Sequence, residues 1–328
     1  QLGNNNPRPN VTVLTTDEKQ EMIFSHGTMV AGLIGAIGNN ETDGAGVNWN
    51  VRLMNLKLID NGGIGTLDEL PRAIRYAVDN GAAIINISLV SGASDKETNE
   101  AVEYAYKKKV MVVAAAGNNS VDLNFSPMYP ICSDLNIAAE MVLGVSAITQ
   151  EHHLTVFSNV GSKCINITAP GQNVSSTVRY SPSNGLTTRY KGGWSGTSFS
   201  APLVSGAAAL INSIQSKWGP DQIFTALLKT VRHTPGQDET VYANLFGAGL
   251  LQVDKAVKYA LEKLGPVHLV REFLVLNLDG GKIDGWNWTD NLTLKNNKIL
   301  SKVDDWAVYK DGEGTRFFTV KQINSQAS

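Results

Sequence analysis

The chain is 328 residues long, 42% hydrophobic and 18% charged, with 28 Lys and Arg against 30 Asp and Glu for a formal net charge of −2. That length suits one large domain and a small one, and that composition supports a packed core and excludes a disordered chain. The near-neutral balance, without a Lys/Arg-rich tract or zinc-type cysteine spacing, argues against nucleic acid, and no uninterrupted apolar run reaches membrane-spanning length.

In chain order, GTMVAGLIGAI (27–37) is small and apolar and predicts a buried helix, with His26 at its polar entry. VRLMNLKLI (51–59) predicts a strand. TLDELPRAIRYAVDNG predicts a helix opened by Thr66 and Glu69 in capping-box spacing and stopped at Gly81. AAIINIS (82–88) is a short apolar run without alternation, as expected for a parallel strand covered on both faces. Ser94 and Glu97 repeat the capping-box spacing before a helix that ends near Lys107, Lys108 and Lys109, where cations suit its negative end. VMVVAAAG (110–117) and VLGVSAI (142–148) predict further strands. This β-α-β-α-β order predicts an α/β domain with a parallel sheet.

After residue 197 comes a helix apolar nearly all round, through Leu203, Val204, Ala207, Ala208, Leu210, Ile211 and Ile214. Such a helix is central and buried. Pro220 and Asp221 open another, and LLQVDKAVKYALEKLG closes the domain at Gly265. From Pro266 the composition shifts to three Trp and turn signals at DGG, NWTDN and KDGEG. The division expected is therefore a catalytic-size domain over 1–265 and a small β-rich C-terminal appendage over 266–328.

WSGTSFSAPLVSG places Ser198 where the central helix begins. It is either an N-cap or a nucleophile presented to a cleft beside the free N–H groups of the helix start. Gly196 permits close backbone approach, and Pro202 is read as lying in the first turn, where its missing N–H costs nothing. A nucleophilic serine needs a base. Of the five histidines, His152 and His153 fall in a turn, His233 follows a helix end and His268 lies in the appendage, which leaves His26. AAAGNNS (114–120) runs a strand into Gly117 and Asn118, at the carboxyl end where α/β sheets build sites. Asn118 is either a turn residue or a side-chain N–H donor to an oxyanion.

HGTMVAG, AAAGN and GTSFSAP resemble the three signature segments of the subtilisin-like serine proteases (subtilases), in that family's order, with 92 positions from His26 to Asn118 and 80 from there to Ser198. IINISL (84–89), FSNVGSKCINITAPG (157–171) and GAGLLQVDKAV (247–257) extend the resemblance over roughly residues 20–262. It implies a subtilisin-like three-layer α/β fold with a parallel sheet and a central nucleophile helix. It also implies a serine endopeptidase in which Ser198 attacks, His26 is the base and Asn118 stabilises the oxyanion. Ser88, Leu89, Ala115, Ala116 and Gly117 would line the substrate cleft and pair an extended peptide. The implied partners are a peptide or protein substrate and a pro-peptide, with no required cofactor and an extracellular, periplasmic or cell-surface location.

The resemblance breaks at three places. The triad aspartate should precede the histidine by thirty or more residues, yet only 25 residues stand before His26. The expectation is a chain lacking its first strand, with the aspartate upstream of Gln1, in preference to Asp17 as a substitute. Such a chain would be an enzyme or an impaired homologue that binds extended peptides. Met29 stands where the family usually has a second histidine and is expected to affect packing only. In the 39–47 loop, Asn39, Asn40, Glu41 and Asp43 are either a solvated turn or oxygen ligands for a structural Ca²⁺. The two cysteines, Cys132 and Cys164, are by themselves either free thiols or a bridge, and the family's export favours the bridge.

Overall fold

The computed structural model describes residues 18–59, 67–135, 137, 139–234, 237 and 245–264, together with the backbone of five short strands between 282 and 319. Two compact units divide between Lys263 and Leu264.

The first unit is built on four parallel strands, β1 (Ile84–Ile87), β2 (Met111–Ala115), β3 (Val142–Ile148) and β4 (Ile167–Pro170), in the order β1-β2-β3-β4. Side chains alternate across a strand. Met111, Val113 and Ala115 therefore join Leu143, Val145, Ile167 and Ala169 on one face. Val112 and Ala114 join Val142 on the other. Each face has its own helical cover. α4 (Thr197–Ile214), α5 (Pro220–Leu228) and α6 (Val253–Glu262) pack on the first through Ala201, Val204, Ala207, Ile211, Leu227 and Ala256. α2 (Leu70–Asp79) and α3 (Lys96–Lys107) pack on the second through Leu70, Ile74, Ala101, Val102 and Ala105. The unbroken apolar strands of the sequence are thus the middle of three layers.

A further helix, α1 (Glu18–Gly35), lies against α4 and against the hairpin of β5 (Val174–Thr177) and β6 (Tyr190–Trp194). Met29, Leu33, Val178, Trp194 and Phe199 make a separate small core there. Hydroxyls and one ion pair fasten α1 down. Ser176 Oγ donates to Met29 O at 2.7 Å, Thr177 Oγ1 to Thr28 O at 2.8 Å, and Lys191 Nζ lies 2.8 Å from Glu21 Oε2.

Several expectations are corrected. Residues 51–58 form no strand. No described strand supplies a ladder, and Leu53 and Met54 remain 49% and 42% exposed, which a strand covered on both faces would not allow. α1 begins at Glu18, so His26 sits well inside a helix and not at its entry. Glu18–Ser25 has no helix breaker, and the Ser25 hydroxyl does not cap but accepts from the Arg179 N–H at 3.2 Å. α3 is capped by Asp95, not Ser94. The Asp95 carboxylate accepts from the N–H groups of Glu97 and Thr98, a cap that contributes about 1 kcal/mol. α2 starts at Leu70 after a 3-10 turn over Leu67–Glu69, and the Glu69 carboxylate bonds Arg72. Thr66 and Asp17 lie outside the described residues. The β5–β6 hairpin is not legible as strands in the sequence.

Cys132 and Cys164 are joined, and both are buried. The bridge links the segments on either side of β3. The second unit contains β7 (Lys282–Ile283) paired with β8 (Trp286–Asn287), and a three-stranded antiparallel sheet of β9 (Ser301–Val303), β10 (Trp306–Asp311) and β11 (Gly314–Thr319).

Candidate active site

The start of α4 is held by the end of β4. Gly196 donates its N–H to Gly171 O at 2.8 Å, and Ser200 Oγ donates to Ala169 O at 3.0 Å. Gly196 is the N-cap, at φ 152° and ψ 152°, a conformation that a side chain disfavours. A Cβ there would also stand 3.3 Å from Asn118 Nδ2. Ser198 follows as the second helical residue, where N–H groups have no intrahelical acceptor. Pro202 is not in the first turn. It is the sixth helical residue, four after Ser198, and its missing N–H leaves the Ser198 carbonyl without its intrahelical donor. Ser88 Oγ donates to that carbonyl at 3.0 Å. In return the Ser198 hydroxyl donates to Ser88 O at 3.3 Å.

Asn118 reaches the same place from the end of β2. Its Oδ1 accepts from the Thr197 N–H at 2.9 Å and from Thr197 Oγ1 at 3.0 Å. An amide oxygen held by two donors leaves the Nδ2 hydrogens directed elsewhere, and this fixes which way the amide faces. Thr197 Oγ1 in turn accepts from the Gly117 N–H at 3.0 Å. The turn that carries Asn118 is clamped from below by Asn159, which is fully buried. Its Oδ1 accepts from the N–H groups of Asn119 and Val121, and its Nδ2 donates to Ala116 O at 2.8 Å. Gly117, at φ 97°, lets the backbone turn over that clamp, since a Cβ would meet Asn159 Nδ2 at 2.5 Å.

His26 comes to this end of α4 through Phe199, the residue after Ser198. The two rings lie 6.0 Å apart at 55°. Phe199 and Met29 are both completely buried, and Met29 acts as a packing residue. Burial pushes the His26 pKa below the ordinary imidazole value of 6.5 and so favours the neutral ring. A neutral imidazole can accept a proton.

Ser198 and Asn118 line one cleft of about 370 Å³, with Leu89, Val90, Ala115, Gly117, Asn119 and Thr197. Of the substrate-binding residues expected, Leu89, Ala115 and Gly117 are on this wall. Ser88 lies behind Ser198, and Ala116 is in the core on the other side of the sheet. Val90, Asn119 and Thr197 are additions to the expected set. Val90 and Asn119 adjoin expected positions in the chain, and Thr197 stands inside the GTS motif, so proximity within the motifs was the available signal.

In the 39–47 loop Glu41 and Asp43 are exposed. Asn40 Oδ1 accepts from the Thr42 N–H at 3.2 Å, and among the described residues no three His, Cys, Asp or Glu side chains come together as a metal-binding group.

Comparison with known proteins places these features in context. The family model described as "Subtilase family" matches residues 3–249. The chain is 39% identical over 189 residues to "Thermophilic serine proteinase" of Bacillus sp. (strain AK1), covering 58% of this chain and 43% of that protein. It is 33% identical over 234 residues to "Subtilisin DY" of Bacillus licheniformis, covering 71% of this chain and 77% of that one. The chain thus spans less than half the length of the first of these relatives. Among solved structures it is similar to a protease from Pseudoalteromonas arctica, with a TM-score of 0.62 and 28% identity over 72% of this chain and 70% of that one. It is also similar to a lanthipeptide protease, with a TM-score of 0.57 and 25% identity over 72% of this chain and 75% of that one.

Proposed function

Because this chain belongs to the subtilase family, we propose that it is a serine endopeptidase whose nucleophile is Ser198. The observation that carries the reading is the joint placement of Ser198 and Asn118 on one cleft, with the Asn118 oxygen taken up by Thr197. The Asn118 amide nitrogen and the Ser198 backbone N–H are then the two donors for the oxyanion that forms when Ser198 Oγ attacks a peptide carbonyl. His26, held neutral by burial, takes the hydroxyl proton and returns it to the leaving amine. The Ser198 hydroxyl must first leave Ser88 O and rotate towards the imidazole. Catalytic hydrogen bonds commonly tighten only once substrate is bound. Leu89, Val90, Ala115 and Gly117 make a wall suited to apolar or aromatic substrate side chains. The Cys132–Cys164 bridge supports work outside a reducing cytosol.

One observation favours a second reading, a homologue that binds peptides without cleaving them: the Ser198 hydroxyl is bonded to Ser88 O and not to His26. A fluorophosphonate probe separates the two. The enzyme reading requires that the full chain be labelled and that Ser198→Ala not be. Equal labelling of the variant would reject Ser198 as the nucleophile. An unlabelled parent chain that still binds an extended peptide would establish the second reading.

A further inference from the structure

The Ser198 carbonyl is an acceptor that its own helix cannot satisfy, because the donor four residues on is Pro202. The group that satisfies it is the hydroxyl of Ser88, just beyond β1. Ser88 does not stand alone. Asn86 Nδ2 donates to Ser88 Oγ at 2.9 Å, and Ser205 Oγ donates to Asn86 Oδ1 at 2.9 Å. Ser205 is on α4, 2% exposed and seven residues after Ser198, so it lies two turns along the same face.

The direction of every bond follows from the first. A carbonyl only accepts, so Ser88 must donate its single hydrogen there. Ser88 Oγ can then only accept from Asn86, which sets the amide nitrogen towards Ser88 and the amide oxygen towards Ser205. Ser205 must therefore be the donor at the far end. Rotation of Asn86 or Ser88 breaks two bonds and rotation of Ser205 breaks one, and their ordered direction makes the chain cooperative.

The consequence lies at Ser198. The peptide plane before Thr197 is tied through the Thr197 N–H to Asn118, and the plane after Ser198 is tied through its carbonyl to Ser88. The plane between them carries the Ser198 N–H. With both neighbours tied, that N–H and the Ser198 Cβ keep one direction.

We infer that Ser205, Asn86 and Ser88 form a hydrogen-bonded positioning chain that aims Ser198 and its backbone N–H at the cleft. The inference rests on the reading of Ser198 as nucleophile. Ser205 touches no substrate and acts through Asn86 and Ser88, so it is a positioning residue.

The test is a double-mutant cycle on the full chain, read by the rate of fluorophosphonate labelling, by kcat and KM on a peptide substrate, and by the thermal midpoint. Ser205→Ala should lower the labelling rate and kcat by about two- to tenfold, the size of one neutral hydrogen bond, with KM unchanged. Ser205→Thr keeps the hydroxyl and should restore both. Ser88→Ala should cost about tenfold, and adding Ser205→Ala to it should cost nothing more, because the chain is already cut. Independent, multiplying effects of the two substitutions would overturn the inference, as would full kcat in Ser205→Ala. So would a loss that follows the thermal midpoint and is not restored by Ser205→Thr. Failure of the underlying reading looks different: the parent chain itself would not be labelled, or Ser198→Ala would be.

Discussion

Asn118 and Thr197, 79 residues apart in the chain, are joined by two hydrogen bonds that both end on the Asn118 amide oxygen. The nitrogen is therefore the part of the side chain left for a ligand. If it donates to an oxyanion, Asn118→Ala should lower kcat by about 10²–10³ with little change in KM, the order found when the oxyanion donor of subtilisin is removed. Steady-state kinetics on one peptide substrate check this. A KM effect without a kcat effect would instead make Asn118 a substrate-binding residue.

Gly196 is the hinge of that arrangement. Gly196→Ala forces a side chain into a conformation that favours glycine and puts a Cβ within 3.3 Å of Asn118 Nδ2. The expected result is a destabilisation of about 1–3 kcal/mol together with a loss of activity larger than the thermal shift explains. Denaturant unfolding and kinetics on the same preparation would show it.

His26 sets a pH dependence. Burial lowers its pKa, so the neutral ring should persist below the ordinary value of 6.5 and the acid limb of kcat/KM should fall below that pH. The sign for stability is the same. With a folded pKa below the unfolded one, the unfolded chain binds more protons between the two values, so His26 withdraws stability as pH falls from about 6.5 through the folded pKa. Titration of the His26 ring by NMR gives the value directly, and a pKa at or above 6.5 would contradict the effect of burial.

The Cys132–Cys164 bridge closes a loop with a sequence separation of 32. Replacing both cysteines by serine should lower stability by about 2–4 kcal/mol, mainly by freeing the unfolded chain. Intact mass after alkylation without reductant should show no added label on the parent chain.

Much of this was legible along the chain. The strands over 84–87 and 111–115 were readable because a parallel strand buried on both faces is continuously apolar, and α4 because small and branched apolar residues surround it. The motifs HGTMVAG, AAAGN and GTSFSAP carried Ser198, Asn118 and His26 before any coordinates, since each is a local pattern of residue types. The strand expected over 51–59 failed because a strand exists only where a partner offers a ladder, and the run itself does not state whether one is present. The cap expected of α3 at Ser94 failed for a related reason. Several Ser, Thr, Asp and Glu residues near a helix start have the right chemistry, and only backbone geometry chose Asp95.

What the sequence alone determined was the set of chemical groups and the elements that carry them, because periodicity and glycine or proline placement act over a few residues. Tertiary structure alone decided the aim of those groups. The bonds from Thr197 to Asn118, from Ser88 to Ser198 and from Ser205 to Asn86 cross 79, 110 and 119 positions of chain. A hydrogen bond depends on a few tenths of an ångström and an angle, and no local pattern encodes where two segments so far apart will meet.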